Sequence, residues 1–174
     1  MISPPTQELL ERTRQRFHPL CVVCGRPRPS ALGLEFRLLA DGGVTAEFDC
    51  SDDFEGYGGI LHGGVAATLL DSAMTNCLFA HGIAAVTAEM IVRFRHPIEL
   101  GVPVTAQAHI AWSQTPLHIL EAQIVQGGRV KAKATGKFME RHRSTGYVGE
   151  IGDRGQESTL CRIPSHIIQP GRNE

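Results

Sequence analysis

His62-Gly63-Gly64-Val65-Ala66-Ala67-Thr68-Leu69-Leu70-Asp71-Ser72-Ala73-Met74-Thr75-Asn76-Cys77-Leu78-Phe79-Ala80 decides the fold. From Gly63 onward it reads as one helix, rich in Ala, Leu and Met, with apolar residues on nearly every face. Such a helix is surrounded by protein rather than laid on a surface. Thr68, Asp71, Ser72, Thr75 and Asn76 make it too polar for a membrane span. Its only charged residue is Asp71, and a buried carboxylate is costly unless it is paired or used. The two leading glycines expose backbone N–H groups at a helix N-terminus, which favours negative charge. An acid and an anion hole are the two parts that let water attack an acyl group.

Before this helix, Thr6 to Phe17 reads as a short helix capped by Thr6. A loop rich in proline follows from His18 to Leu32. Leu34 to Leu39 and Val44 to Cys50 are predicted strands, joined by the hairpin signal Asp41-Gly42-Gly43. Beyond the helix, Gly82 is a C-terminal stop. Four more strands are expected: Ala85 to Arg95, Val104 to Trp112, His118 to Gln126 and, after the turn Gly127-Gly128, Val130 to Glu140. In the last, Val130, Ala132 and Ala134 alternate with Lys131, Lys133 and Thr135, so one face meets water and the other the helix. The expectation is an α+β chain: a curved antiparallel sheet wrapped around one long central helix. Its free edges would be covered by pairing with a second copy. Residues 1–20 are read as an N-terminal helical segment, 21–140 as the domain, and 141–174 as an extended tail.

The chain's 174 residues suit a single core, and 42% hydrophobic with 20% charged residues is ordinary for a soluble globular protein. A net charge of −1 gives no basic field for nucleic acid. Arg12, Arg14 and Arg16 are balanced by Glu8 and Glu11 and read as a solvated helix face. No apolar leader lies between Met1 and Phe17, and the five cysteines are an odd number; a reduced, cytoplasmic setting without a membrane span is expected.

Gly56-Tyr57-Gly58-Gly59-Ile60-Leu61-His62-Gly63-Gly64, then Leu69-Leu70-Asp71, then Thr87-Ala88-Glu89-Met90 running into Pro97 and Gly101, resembles the hotdog-fold acyl-CoA thioesterases. The similarity is to the PaaI-like branch, including thioesterase superfamily member 4-like proteins. Cys21-Val22-Val23-Cys24-Gly25 with Gly33-Leu34 also looks like the N-terminal segment of such proteins. The resemblance covers Cys21 to Glu140 and implies hydrolysis of an acyl-CoA, with no cofactor and no metal. It implies Asp71 as general base or nucleophile, the Gly63 amide as oxyanion donor, a hydroxyl at Thr87 that places water, and a supporting role for His62. Two positions depart from the pattern. Gly56 stands where several relatives have Asn or Gln, and Ser72 where many have Glu.

Geometry adds an argument for a dimer. Asp71 lies eight residues beyond Gly63, about 12 Å along a helix. A reacting carbonyl must sit within about 3 Å of both groups. One chain cannot supply both; a two-fold dimer, alone or within a tetramer, can. Helix N-terminal amides at Gly63 and Gly64 would hold the carbonyl, and Arg93 and Arg95 are candidates for the phosphates of coenzyme A.

Plainer readings stand beside these. Asp71 as a structural acid, His62 as a turn histidine, Thr87 as β-branched filler and the two arginines as a solvated face all fit the residue types. Rival functions are a non-catalytic acyl-CoA-binding or regulatory module, and an enoyl-CoA hydratase or dehydratase, which needs a His beside the acid. His18-x-x-Cys21-x-x-Cys24 offers three metal ligands, and a fourth would come from Cys50 or His96 by folding back. A packed structural loop is the favoured reading there.

Overall fold

The computed structural model describes residues 3–25, 27 and 31–140; the expected tail lies outside them. Helix α1 spans Gln7–Phe17 and helix α2 spans Gly63–Ala80. The strands are β1 (Arg37–Leu38), β2 (Val44–Phe48), β3 (Ala85–Phe94), β4 (Val104–Gln114), β5 (Leu117–Gln126) and β6 (Arg129–Glu140). They form one antiparallel sheet in the order β1-β2-β4-β5-β6-β3. This is the expected hotdog arrangement, with α2 lying on the sheet.

Small residues let α2 approach. In register across the sheet lie Ala108, Ala122, Ala134 and Val92. The next inward row holds Leu120, Gly136 and Met90. A Cβ on Gly136 would stand 2.7 Å from the Phe138 ring and 3.0 Å from the Met74 sulfur, so helix and sheet touch closely there. From Leu69 to Ala80 every residue of α2 except Asp71 is buried. The other side of α2 is covered by α1, whose Leu10 is fully enclosed. Thr6 caps α1 by accepting from the Leu9 amide, and its own amide bonds Ala80 O at 3.1 Å. Gln7 bonds Phe36 O and Leu38 N, so α1 also holds the β1 edge.

The expected turns form. Gly42 adopts φ +86° in the β1–β2 hairpin, and Gly127 and Gly128 adopt φ +57° and +75° between β5 and β6. Two strands are shorter than expected. β2 stops at Phe48 rather than Cys50, and β1 is two residues long. The reason for the second is visible: Leu32 N and Leu34 N bond Val22 O and Val23 O instead of a strand. The loop after α1 has taken their hydrogen bonds and is tied against the core.

β3 is an edge strand. Its register against β6 slips between Thr87 and Glu89. The bulge leaves Thr87 opposite the buried Phe138 and Glu89 opposite Lys137 on the outer face, where the two ion-pair at 2.8 Å. Without it the alternation would turn Glu89 toward the helix. Among the described residues, no helix is long and apolar enough to cross a membrane.

Candidate active site

The N-terminus of α2 is exposed, not enclosed. His62 is its N-cap, with extended backbone, and its Nδ1 accepts the Gly64 N–H at 2.9 Å. An accepting Nδ1 carries no proton, so any ring hydrogen sits on Nε2. The cap occupies the Gly64 amide, correcting the expectation that both glycine amides face a ligand. Among the described residues, the Gly63 N–H has no acceptor. The loop ahead is held by Leu61 N on Ile98 O and His62 N on Phe54 O. Gly56 sits under His62: a Cβ there would be 3.0 Å from the His62 Cα. A larger residue at this position requires His62 to give by a few tenths of an ångström.

Two turns along α2, Asp71 breaks the buried run. It is half-buried in the single chain, which corrects the expectation of an enclosed acid. Thr87, on the edge strand, donates its hydroxyl proton to Asp71 Oδ1 at 2.6 Å. The β3 bulge keeps Thr87 pointing inward to do so. The opposite end of β3 reaches the other half of the site: a Cβ on Gly63 would lie 3.7 Å from the Phe94 ring. Within the single chain His62 and Asp71 share no hydrogen bond.

A cavity of about 390 Å³ opens beside Asp71, walled by Ala67, Thr68, Ser72 and Met90 and, from the other side, by His18 and Val22. The loop wall was not anticipated; the His-x-x-Cys-x-x-Cys spacing was the available signal. His18 stacks edge-on against Phe79, with centroids 4.9 Å apart. Burial lowers the pKa of His18, and the Asp71 carboxylate opposes this by raising it. Burial pushes the Cys24 thiol up to about 11.

Arg93 and Arg95 are not brought to this cavity. They line a separate groove of about 620 Å³ with Lys133 and His109. Arg93 stands opposite Lys133, a second cation, in the β3–β6 register on the solvated face of the sheet. Cys50 and His96 stay apart from His18, Cys21 and Cys24, whose donor atoms converge.

The sequence pattern of the Thioesterase superfamily matches residues 58–133. Human acyl-coenzyme A thioesterase 13 is 29% identical over 112 residues, covering 63% of this chain and 76% of the relative. A thioesterase superfamily protein of known structure superposes with a TM-score of 0.64 at 26% identity. That match covers 68% of this chain and 62% of the other, a little under two thirds of its length. A mutant of the phenylacetic acid degradation protein PaaI from Thermus thermophilus gives a TM-score of 0.59 at 26% identity, over 64% of this chain and 96% of that one.

Proposed function

We propose that this chain, a PaaI-like hotdog protein of the thioesterase superfamily, hydrolyses an acyl-CoA thioester to a carboxylic acid and free coenzyme A. The observation that carries the mechanism is the 2.6 Å bond from Thr87 to Asp71 at the mouth of a cavity. A carboxylate held by one hydroxyl keeps its second oxygen for a water molecule or for direct attack on the carbonyl. The free Gly63 N–H, at the positive end of an 18-residue helix, suits the developing oxyanion. His62 positions that amide by capping the next one.

The two halves belong to different subunits in this reading. Asp71 and Gly63 of one chain lie about 12 Å apart along α2. β3 touches both, Thr87 at the Asp71 end and Phe94 at the Gly63 end. Antiparallel pairing of β3 with a second β3 about a two-fold axis sets the Thr87 end of one copy beside the Phe94 end of the other. That brings Asp71 of one subunit toward Gly63 of its partner. Val86, Ile91 and Phe94 are exposed apolar residues on this strand, as a covered edge requires. A homodimer, alone or paired into a homotetramer, is therefore the working unit.

The test is thiol release from short, long and aromatic acyl-CoAs by the full chain and by Asp71→Asn. Turnover that falls by about 10²-fold or more in the variant, with coenzyme A binding retained, supports the reading. Tight binding with no release from any thioester points instead to a binding module.

A further inference from the structure

The loop after α1 gathers three donors that the hydrolytic mechanism does not use. A ring nitrogen of His18, Sγ of Cys21 and Sγ of Cys24 all lie within 4.8 Å of one another, and His18 Nδ1 is 3.9 Å from Cys24 Sγ. Around tetrahedral zinc, with Zn–S about 2.3 Å and Zn–N about 2.0 Å, donor atoms sit roughly 3.5 to 3.8 Å apart. Contraction of about an ångström suffices for the widest pair.

The loop is built to hold this convergence. Gly25 N bonds Cys21 O at 3.0 Å, and a Cβ on Gly25 would fall 2.5 Å from both Cys21 N and Cys21 O. Only glycine permits so tight a closure of the turn from Cys21 to Gly25, which carries both thiols. Leu32 and Leu34 bond the backbone of Val22 and Val23, fastening the loop from outside. Phe79 holds the imidazole edge-on.

Each sulfur also faces a donor. Val23 N–H points at Cys21 Sγ at 3.4 Å, and the buried Asn76 directs Nδ2 at Cys24 Sγ at 3.5 Å. An N–H group aimed at sulfur favours the thiolate that ligates metals, a contribution that burial outweighs at Cys24 in the metal-free chain and that becomes useful once a cation is bound. Asn76 Oδ1, beside them, is a buried acceptor with no hydrogen-bond partner among the described residues. His18 and Cys21 open onto the Asp71 cavity, which gives an ion a route in.

We propose that His18, Cys21 and Cys24 form a site for a thiophilic divalent cation of the zinc kind, with the cavity beside Asp71 supplying the fourth position. Three protein donors and one open position make a complete zinc coordination set. Binding displaces the protons of both thiols, and the ion then carries two thiolates and a neutral imidazole. The proposal does not rest on the acyl-CoA reading, since it is tested by metal alone.

The experiment is titration of the reduced, metal-free full chain with Co²⁺, followed by Zn²⁺. The expected result is about one equivalent bound per chain, with a near-ultraviolet thiolate-to-cobalt band that zinc abolishes. Cys21→Ser and Cys24→Ser lose the band, and His18→Ala weakens binding by about tenfold or more while circular dichroism reports an intact fold. Cys50→Ser keeps the band. Absence of the band in the wild-type chain with cobalt in excess overturns the proposal. So does a band that survives in the Cys21→Ser/Cys24→Ser double variant. The wild-type titration decides even where a variant fails to fold.

Discussion

The Thr87 hydroxyl donates to Asp71 Oδ1 at 2.6 Å, joining the edge strand to the central helix. The bond crosses from the least protected strand to the most buried helix, so β3 sets the orientation of the acid. Asp71→Asn keeps the shape and removes the charge. Thioester hydrolysis should fall by about 10²-fold or more in kcat, with KM moved less. Steady-state thiol release checks this, and activity within a few-fold of wild type would make Asp71 a structural acid.

Thr87→Val is close in volume and deletes only the hydroxyl. The acid loses its fixed rotamer, and kcat should drop by about tenfold, the scale of one hydrogen bond to a charged group. The cost in stability should be no more than about 1.5–3 kcal/mol, the worth of one hydrogen bond to a charged group. If Thr87→Val proves as active as wild type, the hydroxyl is a packing feature.

Gly63→Ala should fold normally, since within the chain the added methyl meets the Phe94 ring at an ordinary contact distance of 3.7 Å. Gly136→Ala should not be neutral. Its Cβ would press on the enclosed Phe138 at 2.7 Å and on Met74, an overpacking that costs about 1–3 kcal/mol. Urea unfolding of the two variants side by side separates a functional glycine from a packing one.

His118 is fully buried, sharing hydrogen bonds with Ser113 at 2.6 Å and Glu140 at 2.9 Å. It ties the β4–β5 hairpin to the end of β6. His118→Ala leaves a cavity and removes the ring's hydrogen bonds, for a loss of about 2–4 kcal/mol. Chemical denaturation measures it; a change below about 1 kcal/mol would show that water replaces the ring.

Burial pushes the Cys77 thiol up to about 12 and the Cys50 thiol up to about 11, while Cys21 is only half-buried. In the metal-free native chain, mild alkylation at neutral pH should therefore mark Cys21 before Cys24, Cys50 or Cys77. Peptide mapping by mass spectrometry reads the order. Early labelling of Cys77 would mean that α2 opens far more readily than its packing implies.

The helix, the strands and most turns were legible because each depends on local chemistry. Apolar residues on every face of 63–80, period-two alternation in β6 and glycines at positive φ are properties of short segments. The acid was legible too, as the one charge in an apolar helix. β1 was overread because hydrogen bonds from Leu32 and Leu34 went to residues ten or more positions earlier, and propensity carries no information about such partners. The same limit applied to Arg93, which the register sets opposite Lys133, and to Arg95, whose amide bonds Lys131 O past the end of β3; spacing along the chain did not give the groove they line.

By itself the sequence determined the kinds of element, their order and the candidate acid, because periodicity and capping act over a few residues. Only the tertiary structure decided that a one-residue bulge turns Thr87 onto Asp71, that His62 takes the Gly64 amide, and that His18, Cys21 and Cys24 converge at the cavity wall. Those outcomes depend on side-chain direction across long-range contacts, which spacing along a chain does not encode.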